Sequence, residues 1–126
     1  MFKPNILVVG SANTDMVIKA DSLPSPGETI LGGKFFMNAG GKGANQAVAA
    51  ARMGGRTSFV AKLGADIFGK QILDGLQSEG IDTQYVFTDP SVPSGIALIM
   101  VESGGENCIS VAPGANALLG LSLIHI

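Results

Sequence analysis

A glycine cluster in the first half of the chain has the residue types of a polar ligand site. It runs Ala39-Gly40-Gly41-Lys42-Gly43-Ala44-Asn45 and leads into an alanine-rich helical pattern. The glycines let the backbone approach a ligand closely, Lys42 supplies a cation, and Asn45 supplies an amide that both donates and accepts. Because the free N–H groups of a helix start point the same way, the cluster predicts a site for a hydroxyl-rich or anionic ligand.

The cluster does not match the common nucleotide-binding loops. A Walker A loop ending on Lys42 would need glycine at position 36 and Ser or Thr at position 43, where the chain has Phe36 and Gly43. The run Gly10-Ser11-Ala12-Asn13 lacks the later glycines of a dinucleotide fingerprint. Neither motif is therefore supported.

Short apolar runs alternate with helical patterns, which predicts a doubly wound α/β sheet. Strands are predicted at residues 6–10, 57–63 and 85–88, and helices at residues 42–54 and 67–78. Asp66 is placed to cap the second helix. Asn13 and Asp15 follow the first strand, where open α/β sheets place their ligands.

Longer extended runs predict a second, separate sheet. They lie at residues 16–20, 29–37, 95–102 and 107–112, and the glycines between the last two favour a hairpin. Ala97 and Ile99 share one strand face because side chains alternate with a period of two.

Composition excludes several function classes. The net charge of −2 gives no basic surface for nucleic acid, and the apolar run at residues 6–9 is too short for a membrane span or a signal peptide. The single cysteine, Cys108, lies in an apolar run and is predicted to be a small core residue. One cysteine cannot form an internal disulfide, which favours a cytoplasmic location.

The motifs together resemble those of the PfkB-type carbohydrate kinases. Ala47, Gly54 and Gly64 follow the glycine cluster at the spacing of that family's first signature. Other runs that resemble the family are Gly10-Ser11-Ala12-Asn13-Thr14-Asp15, Pro26-Gly27-Glu28-Thr29, Gly64-Ala65-Asp66-Ile67-Phe68-Gly69, Ser94-Gly95-Ile96-Ala97-Leu98-Ile99 and Pro113-Gly114-Ala115-Asn116. The resemblance covers nearly the whole chain.

The resemblance implies a fold and an activity. The fold is a doubly wound central sheet flanked by helices, with a β-sheet lid whose strands lie near residues 14–37 and 95–112 and which clasps the lid of a second subunit. The activity is transfer of the γ-phosphoryl group of MgATP to the 5-hydroxyl of D-ribose, with K⁺ as activator. The substrate-binding positions it implies are Asn13, Thr14, Asp15, Gly41, Lys42, Gly43, Ala44, Asn45, Ala97 and Ile99.

Each of these assignments has a structural alternative. Asp15 could shape a turn, Lys42 and Asn45 could be solvated helix residues, and Ala97 and Ile99 could be core. Glu28, Asp66 and Asn116 are interpreted as structural residues that serve turns, caps and loop hydrogen bonds, and the large apolar residues Phe35 and Phe36 as packing residues.

The extent of the chain limits the expected activity. The family's Gly-Ala-Gly-Asp motif, which supplies the base, does not occur in these residues, so no catalytic, cofactor-binding or metal-binding residue is assigned. We expect residues 1–120 to be the N-terminal part of a longer kinase that is inactive alone. Residues 121–126, which include His125, match a sequencing-adapter reading frame and are expected to be non-native; the alternative is a genuine apolar strand.

Two alternatives to a ribose kinase remain. One is a kinase for deoxyribose, fructose or adenosine, and the other is a non-catalytic sugar-binding or dimerising module.

Overall fold

Within residues 2–122, two separate β-sheets and two helices form the framework. The computed structural model describes residues 2–122. In chain order the elements are β1 Asn5–Val9, β2 Asn13–Ala20, β3 Lys34–Gly40, α1 Lys42–Arg52, β4 Arg56–Gly64, α2 Ile67–Ser78, β5 Val86–Asp89, β6 Gly95–Glu102, β7 Asn107–Ala112 and a 3-10 turn at Gly114–Leu118. The predicted α/β class with a second sheet is confirmed.

The first sheet is parallel, has the order β1-β4-β5 and contributes most of the core. Alternate residues of β4 point to one face of this sheet, and both helices pack on that face. The core comprises Ala12, Ala44, Ala47, Phe59, Ala61, Leu63, Ile72, Leu76 and Ile81. On the opposite face, Leu7 and Val9 of β1 remain more than half exposed, at 63% and 62%.

Local sequence signals explain where helix α2 begins and where both helices end. Helix α2 begins after Asp66, whose Oδ1 accepts a hydrogen bond from the Gly69 N–H at 2.8 Å, as the capping prediction requires. Gly54 and Gly80 follow the two helices with φ angles of 93° and 75°, a backbone conformation that side chains disfavour.

The second sheet has four strands in the order β3-β2-β6-β7. Strands β2 and β6 are parallel, and each is antiparallel to its outer neighbour, so the predicted β6–β7 hairpin is confirmed. The pairing register divides the side chains into two sets. The Asp15 face comprises Asn13, Asp15, Val17, Phe36, Asn38, Ala97, Ile99, Ile109 and Val111, and the Met100 face comprises Met16, Ile18, Phe35, Met37, Leu98, Met100 and Cys108.

Two predicted strand boundaries are wrong. Strand β2 begins at Asn13 rather than at residue 16, because Asn13 already pairs with Gly40 of β3 and Gly95 of β6. Strand β3 spans Lys34–Gly40 rather than residues 29–37, since Gly32, with a φ of 94°, breaks the extended chain before it. Asn13 and Asp15 are therefore held in a strand and not in a loop.

Three packing predictions are also wrong. Cys108 is exposed and Phe35 is 61% exposed; both lie on the Met100 face, where Leu98 is also 56% exposed. Phe36 lies on the Asp15 face and is 43% exposed. An apolar strand pattern predicts a face that favours burial, but it does not say what buries it.

Within residues 2–122, no helix is both long enough and apolar enough to span a membrane. Residues 123–126 lie outside the described part of the chain, so the hypothesis of a non-native tail at 121–126 stays a prediction.

Candidate functional site

The Asp15 carboxylate lies beside the glycine cluster. Asp15 pairs with Asn38 on one side and with Ala97 on the other. A Cβ atom at Gly40 would approach Asp15 Cγ to 2.6 Å, well inside normal contact. Any side chain larger than that of glycine at position 40 would therefore displace the Asp15 carboxylate.

The Asp15 carboxylate has no partner among the residues that the structure describes. Among residues 2–122, no hydrogen-bond donor and no cation reaches it. Burial raises the pKa of Asp15 above its ordinary value, because desolvation disfavours the charged form. A partly buried carboxylate without a partner is costly to maintain, which indicates a ligand that donates hydrogen bonds to it.

The start of helix α1 packs directly on the loop between β1 and β2, at residues 10–12. Gly41 is the N-cap with a φ of 96°, and a Cβ atom there would lie 2.7 Å from the Ser11 carbonyl oxygen. A Cβ atom at Gly43 would lie 2.8 Å from Gly10 Cα. The glycines are thus required for this close approach of two backbone segments.

This packing leaves polar groups at the helix start for a ligand. The Ala44 N–H donates to the Ser11 carbonyl at 3.0 Å. The N–H groups of Lys42 and Gly43 have no acceptor among the described residues, and they lie where a helix attracts hydroxyl or anionic groups. The Lys42 and Asn45 side chains are exposed, and Lys42 forms no ion pair within the described part of the chain.

Asn13 lies on the same face as Asp15 and is held by a loop residue. Its Oδ1 accepts a hydrogen bond from Asn116 Nδ2 at 2.7 Å. The interpretation of Asn116 as a residue that makes loop hydrogen bonds is confirmed.

Apolar side chains continue the Asp15 face beyond the two polar residues. Ala97 is buried directly beside Asp15, and Ile99 follows it along β6. Across the hairpin, Val111 pairs with Ala97 and Ile109 pairs with Ile99. The Asp15 face therefore combines polar groups at one end with an apolar wall, the composition expected for a sugar ring.

Two predicted site residues do not direct their side chains to the Asp15 face. Thr14 is buried, and the strand alternation puts it on the face opposite to Asp15. The Ala44 side chain belongs to the core between α1 and β4. Each of these residues has only its backbone to offer a ligand.

Three residues that shape the site are not among the predicted substrate-binding residues, although Gly40 belongs to the predicted glycine cluster. Asn38 is an exposed amide next to Asp15, Gly40 provides the space for the carboxylate, and Asn116 is bonded to Asn13. Only the pairing register connects these positions, although the polar residue within the apolar run of β3 could have suggested Asn38.

A second hydrogen-bonded cluster joins the two sheets. Asp66 accepts bonds from the Ser94 hydroxyl at 2.7 Å and from the Ser94 N–H at 2.8 Å, while the Gly64 N–H donates to Ser94 Oγ at 2.9 Å. Burial alone would raise the pKa of Asp66, but the bonds from Ser94 and Gly69 outweigh it and lower the pKa. The cluster links the end of β4 and the start of α2 to the start of β6.

Residues 2–122 do not supply a metal centre. No group of three His, Cys, Asp or Glu side chains in this part of the chain could hold a metal ion. This part of the chain therefore offers no carboxylate cluster for the Mg²⁺ that the resemblance implies.

The sequence model of the pfkB family carbohydrate kinases matches residues 3–123. The chain belongs to this family. The pfkB family relatives include the ribokinases of Mus musculus, 42% identical over 114 residues, and of Haemophilus influenzae, 42% identical over 123 residues. The deoxyribokinase of Salmonella typhi is 40% identical over 115 residues.

These pfkB family relatives are much longer than the match. The alignments cover 90%, 98% and 91% of this chain, but only 35%, 40% and 38% of the respective relatives. The chain thus spans well under half the length of each.

Solved structures of the pfkB family share the fold. The structure of ribokinase from Giardia lamblia matches with a TM-score of 0.88 and 36% identity, over 98% of this chain and 38% of that one. The structure of Arabidopsis thaliana ribokinase complexed with ribose and ATP matches with a TM-score of 0.82 and 41% identity, over 91% and 38%. The two-sheet arrangement described above belongs to the ribokinase fold.

Proposed function

We propose that the whole protein is an ATP-dependent kinase of D-ribose that forms D-ribose 5-phosphate. In this proposal, residues 2–122 provide the sugar-recognition surface and the lid. The observation that supports it most directly is the Asp15 carboxylate, which has no partner within residues 2–122, shares a face with the Asn13 amide and lies beside the start of α1.

The chemistry of these groups suits a polyol. Asp15 accepts hydrogen bonds from hydroxyl groups, and the free N–H groups of Lys42 and Gly43 donate to hydroxyl oxygens. Asn45 and the Lys42 ammonium lie on the first turns of the same helix. Ala97 and Ile99 pack against the apolar face of the ring. Gly41 and Gly43 contribute backbone groups, as do Thr14 and Ala44, whose side chains point elsewhere.

Deoxyribose is the second candidate substrate, because a deoxyribokinase is 40% identical to this chain, close to the 42% of two ribokinases. The test is ADP formation by the whole protein with ribose, deoxyribose, fructose or adenosine as acceptor. We expect ribose to give the highest kcat/KM. Equal or greater activity on another acceptor would change the substrate assignment, and sugar binding without turnover would favour a non-catalytic module.

The 126-residue chain alone should not catalyse the reaction. Phosphoryl transfer needs a base and an electrostatic cradle for the transferred group, and the chain lacks the family's Gly-Ala-Gly-Asp motif that provides them. Ribose-dependent ADP formation by the purified chain, above a mock preparation, would contradict this. We place the MgATP and K⁺ sites outside residues 2–122.

We further propose that the protein forms a homodimer through its lid. The Met100 face lines a groove of about 410 Å³, and Phe35 and Leu98 on it are 61% and 56% exposed. Monomeric proteins seldom leave such a contiguous apolar surface in water, and a second copy would cover it isologously. The Asp15 face is then left free for the sugar. We expect the dimer to be cytoplasmic and to bind neither nucleic acid nor membranes.

A further inference from the structure

Asn116 makes more hydrogen bonds to the candidate site than a loop residue needs for its own turn. Asn116 Oδ1 accepts from the Ala12 N–H at 3.0 Å. Asn116 Nδ2 donates to the Ala12 carbonyl at 3.1 Å and to Asn13 Oδ1 at 2.7 Å. All three bonds connect residue 116 to two residues more than a hundred positions earlier in the chain.

The backbone of Ala12 determines which way the Asn116 amide is turned. A peptide N–H can only donate and a peptide carbonyl can only accept, so Asn116 must direct its oxygen to the first and its nitrogen to the second. The same nitrogen is then in contact with Asn13, and it can only donate to that side chain. The atom of Asn13 that it meets is therefore the amide oxygen.

The bond from Asn116 also determines which end of the Asn13 side-chain amide is left for a ligand. Because Oδ1 of Asn13 is engaged by Asn116, the NH2 group of Asn13 remains for another partner. Asp15 is two residues further along the same strand face and can only accept when it is ionised. The Asp15 face thus presents a donor and an acceptor next to each other.

We propose that Asn116 is a positioning residue for substrate recognition, which fixes the Asn13 amide so that it offers its NH2 group to the ligand. The proposal rests on the proposed function. Adjacent hydroxyl groups of a sugar match this arrangement, since one oxygen accepts from Asn13 while a hydroxyl proton goes to Asp15. The ligand class that fits is an uncharged polyol, because an anion in this position would face the Asp15 carboxylate.

Gly95 is required for this contact between the two amides. It pairs with Asn13 in the register of β2 and β6. A Cβ atom at position 95 would overlap both Asn116 Nδ2 and Asn13 Oδ1. Gly95→Ala should therefore disturb the orientation of Asn13 without removing any polar group.

The test is the variant Asn116→Asp in the whole protein. A carboxylate still accepts from the Ala12 N–H, but it cannot donate to Asn13, so the Asn13 amide turns and presents its oxygen to the sugar. We expect the Kd for ribose to rise by about tenfold or more, with the KM for ATP unchanged. Asn107→Asp, which makes the same change at an exposed position at the far end of β7, should leave the Kd unchanged.

A double-mutant cycle separates positioning from general stability. In an Asn13→Ala background, Asn116→Asp should change the Kd for ribose by less than about twofold, because the amide that it orients is gone. An equal loss in both backgrounds, or a ribose affinity within about twofold of wild type in the single variant, would overturn the proposal. If Asn116→Asp does not fold, Gly95→Ala is put through the same cycle, with the same outcomes.

Failure of the proposed function gives a different result. If the unaltered whole protein binds no ribose, NMR of its side-chain amides still decides the orientation. The Asn116 amide protons should be protected from exchange with water and the Asn13 amide protons should not. The opposite pattern would overturn the inference whatever the substrate is.

Discussion

The Asp15 carboxylate occupies the space into which a side chain at position 40 would project. Asp15 and Gly40 lie on neighbouring strands, offset by two residues, and a Cβ atom at Gly40 would come within 2.6 Å of Asp15 Cγ. A glycine of the family signature and the acidic residue of the candidate site are therefore one structural unit.

Gly40→Ala should therefore weaken sugar binding. The added methyl group would displace the Asp15 carboxylate and cost part of its hydrogen bonds to the sugar, about 1.5–3 kcal/mol if all are lost. We expect a higher KM for ribose and an unchanged KM for ATP, measured by steady-state kinetics of the whole protein.

Gly75→Ala is the matched control for this variant. Gly75 lies within α2, and a Cβ atom there has no neighbour within 4 Å. Gly75→Ala should raise the free energy of unfolding by about 0.5–1 kcal/mol without affecting the KM for ribose. Equal ribose KM values for the two variants would count against the role of Gly40.

The pH dependence of ribose binding should follow the ionisation of Asp15. Burial raises the pKa of Asp15, so the carboxylate takes up its proton at a higher pH than an ordinary aspartate. Because the protonated form loses its charge as an acceptor, ribose affinity should fall as the pH drops through this raised pKa. Calorimetric titrations over a pH series check the prediction, and Asp15→Asn should lack this pH dependence.

The same substitution should stabilise the protein without sugar. The charged form of Asp15 is disfavoured by the fold at neutral pH, so Asp15→Asn should raise the melting temperature. The gain should disappear as the pH falls below the raised pKa, where the wild-type residue is neutral too. A lower melting temperature at neutral pH would show that the Asp15 charge has a stabilising partner.

The Asp66–Ser94 contact should produce the opposite dependence of stability on pH. The bonds from Ser94 and Gly69 lower the pKa of Asp66, so its ionised form is favoured by folding. This contribution is complete above the ordinary aspartate pKa of about 4 and is lost as the pH falls through the lower folded value.

Ser94→Ala should reveal this contribution, at a cost of about 1–3 kcal/mol in the free energy of unfolding at neutral pH. The difference from wild type should become smaller below about pH 4. Asp74→Asn, which removes an exposed carboxylate of α2, should be neutral. Denaturant titrations at several pH values distinguish these outcomes, and a difference for Ser94→Ala that does not depend on pH would contradict the assignment.

Much of the fold followed from the sequence, and the reasons are local. The cap at Asp66 and the glycines after each helix specify where the helices begin and end. The face of each strand also followed from alternation, and Ala97 and Ile99 do share one face with Asp15.

The start of β2 and the contact between Asn13 and Asn116 could not be predicted, since both depend on pairing between distant segments. The exposure of Cys108 and Phe35 likewise depends on whether the Met100 face is covered, and alternation alone does not contain that information.

A charge on the Met100 face should dissociate the proposed dimer. Met100→Glu would bury a carboxylate against the second lid, which is unfavourable without a partner. Met53→Glu makes the same change at the end of α1, where the side chain is 88% exposed, and should leave the dimer intact. Light scattering on the whole protein shows whether each variant is a dimer. Ribose affinity should fall only for Met100→Glu, because β6 also forms the apolar wall of the Asp15 face. A wild-type monomer at micromolar concentration that binds ribose normally would refute the lid dimer.

A calorimetric titration of D-ribose into the whole protein, with and without the substitution Asp15→Asn, decides whether Asp15 binds the sugar. We expect the unaltered protein to bind ribose and the variant to bind it about ten- to a hundredfold more weakly, while both bind ATP equally. A variant that binds ribose within about twofold of the unaltered protein would contradict the assignment of the site to the Asp15 face.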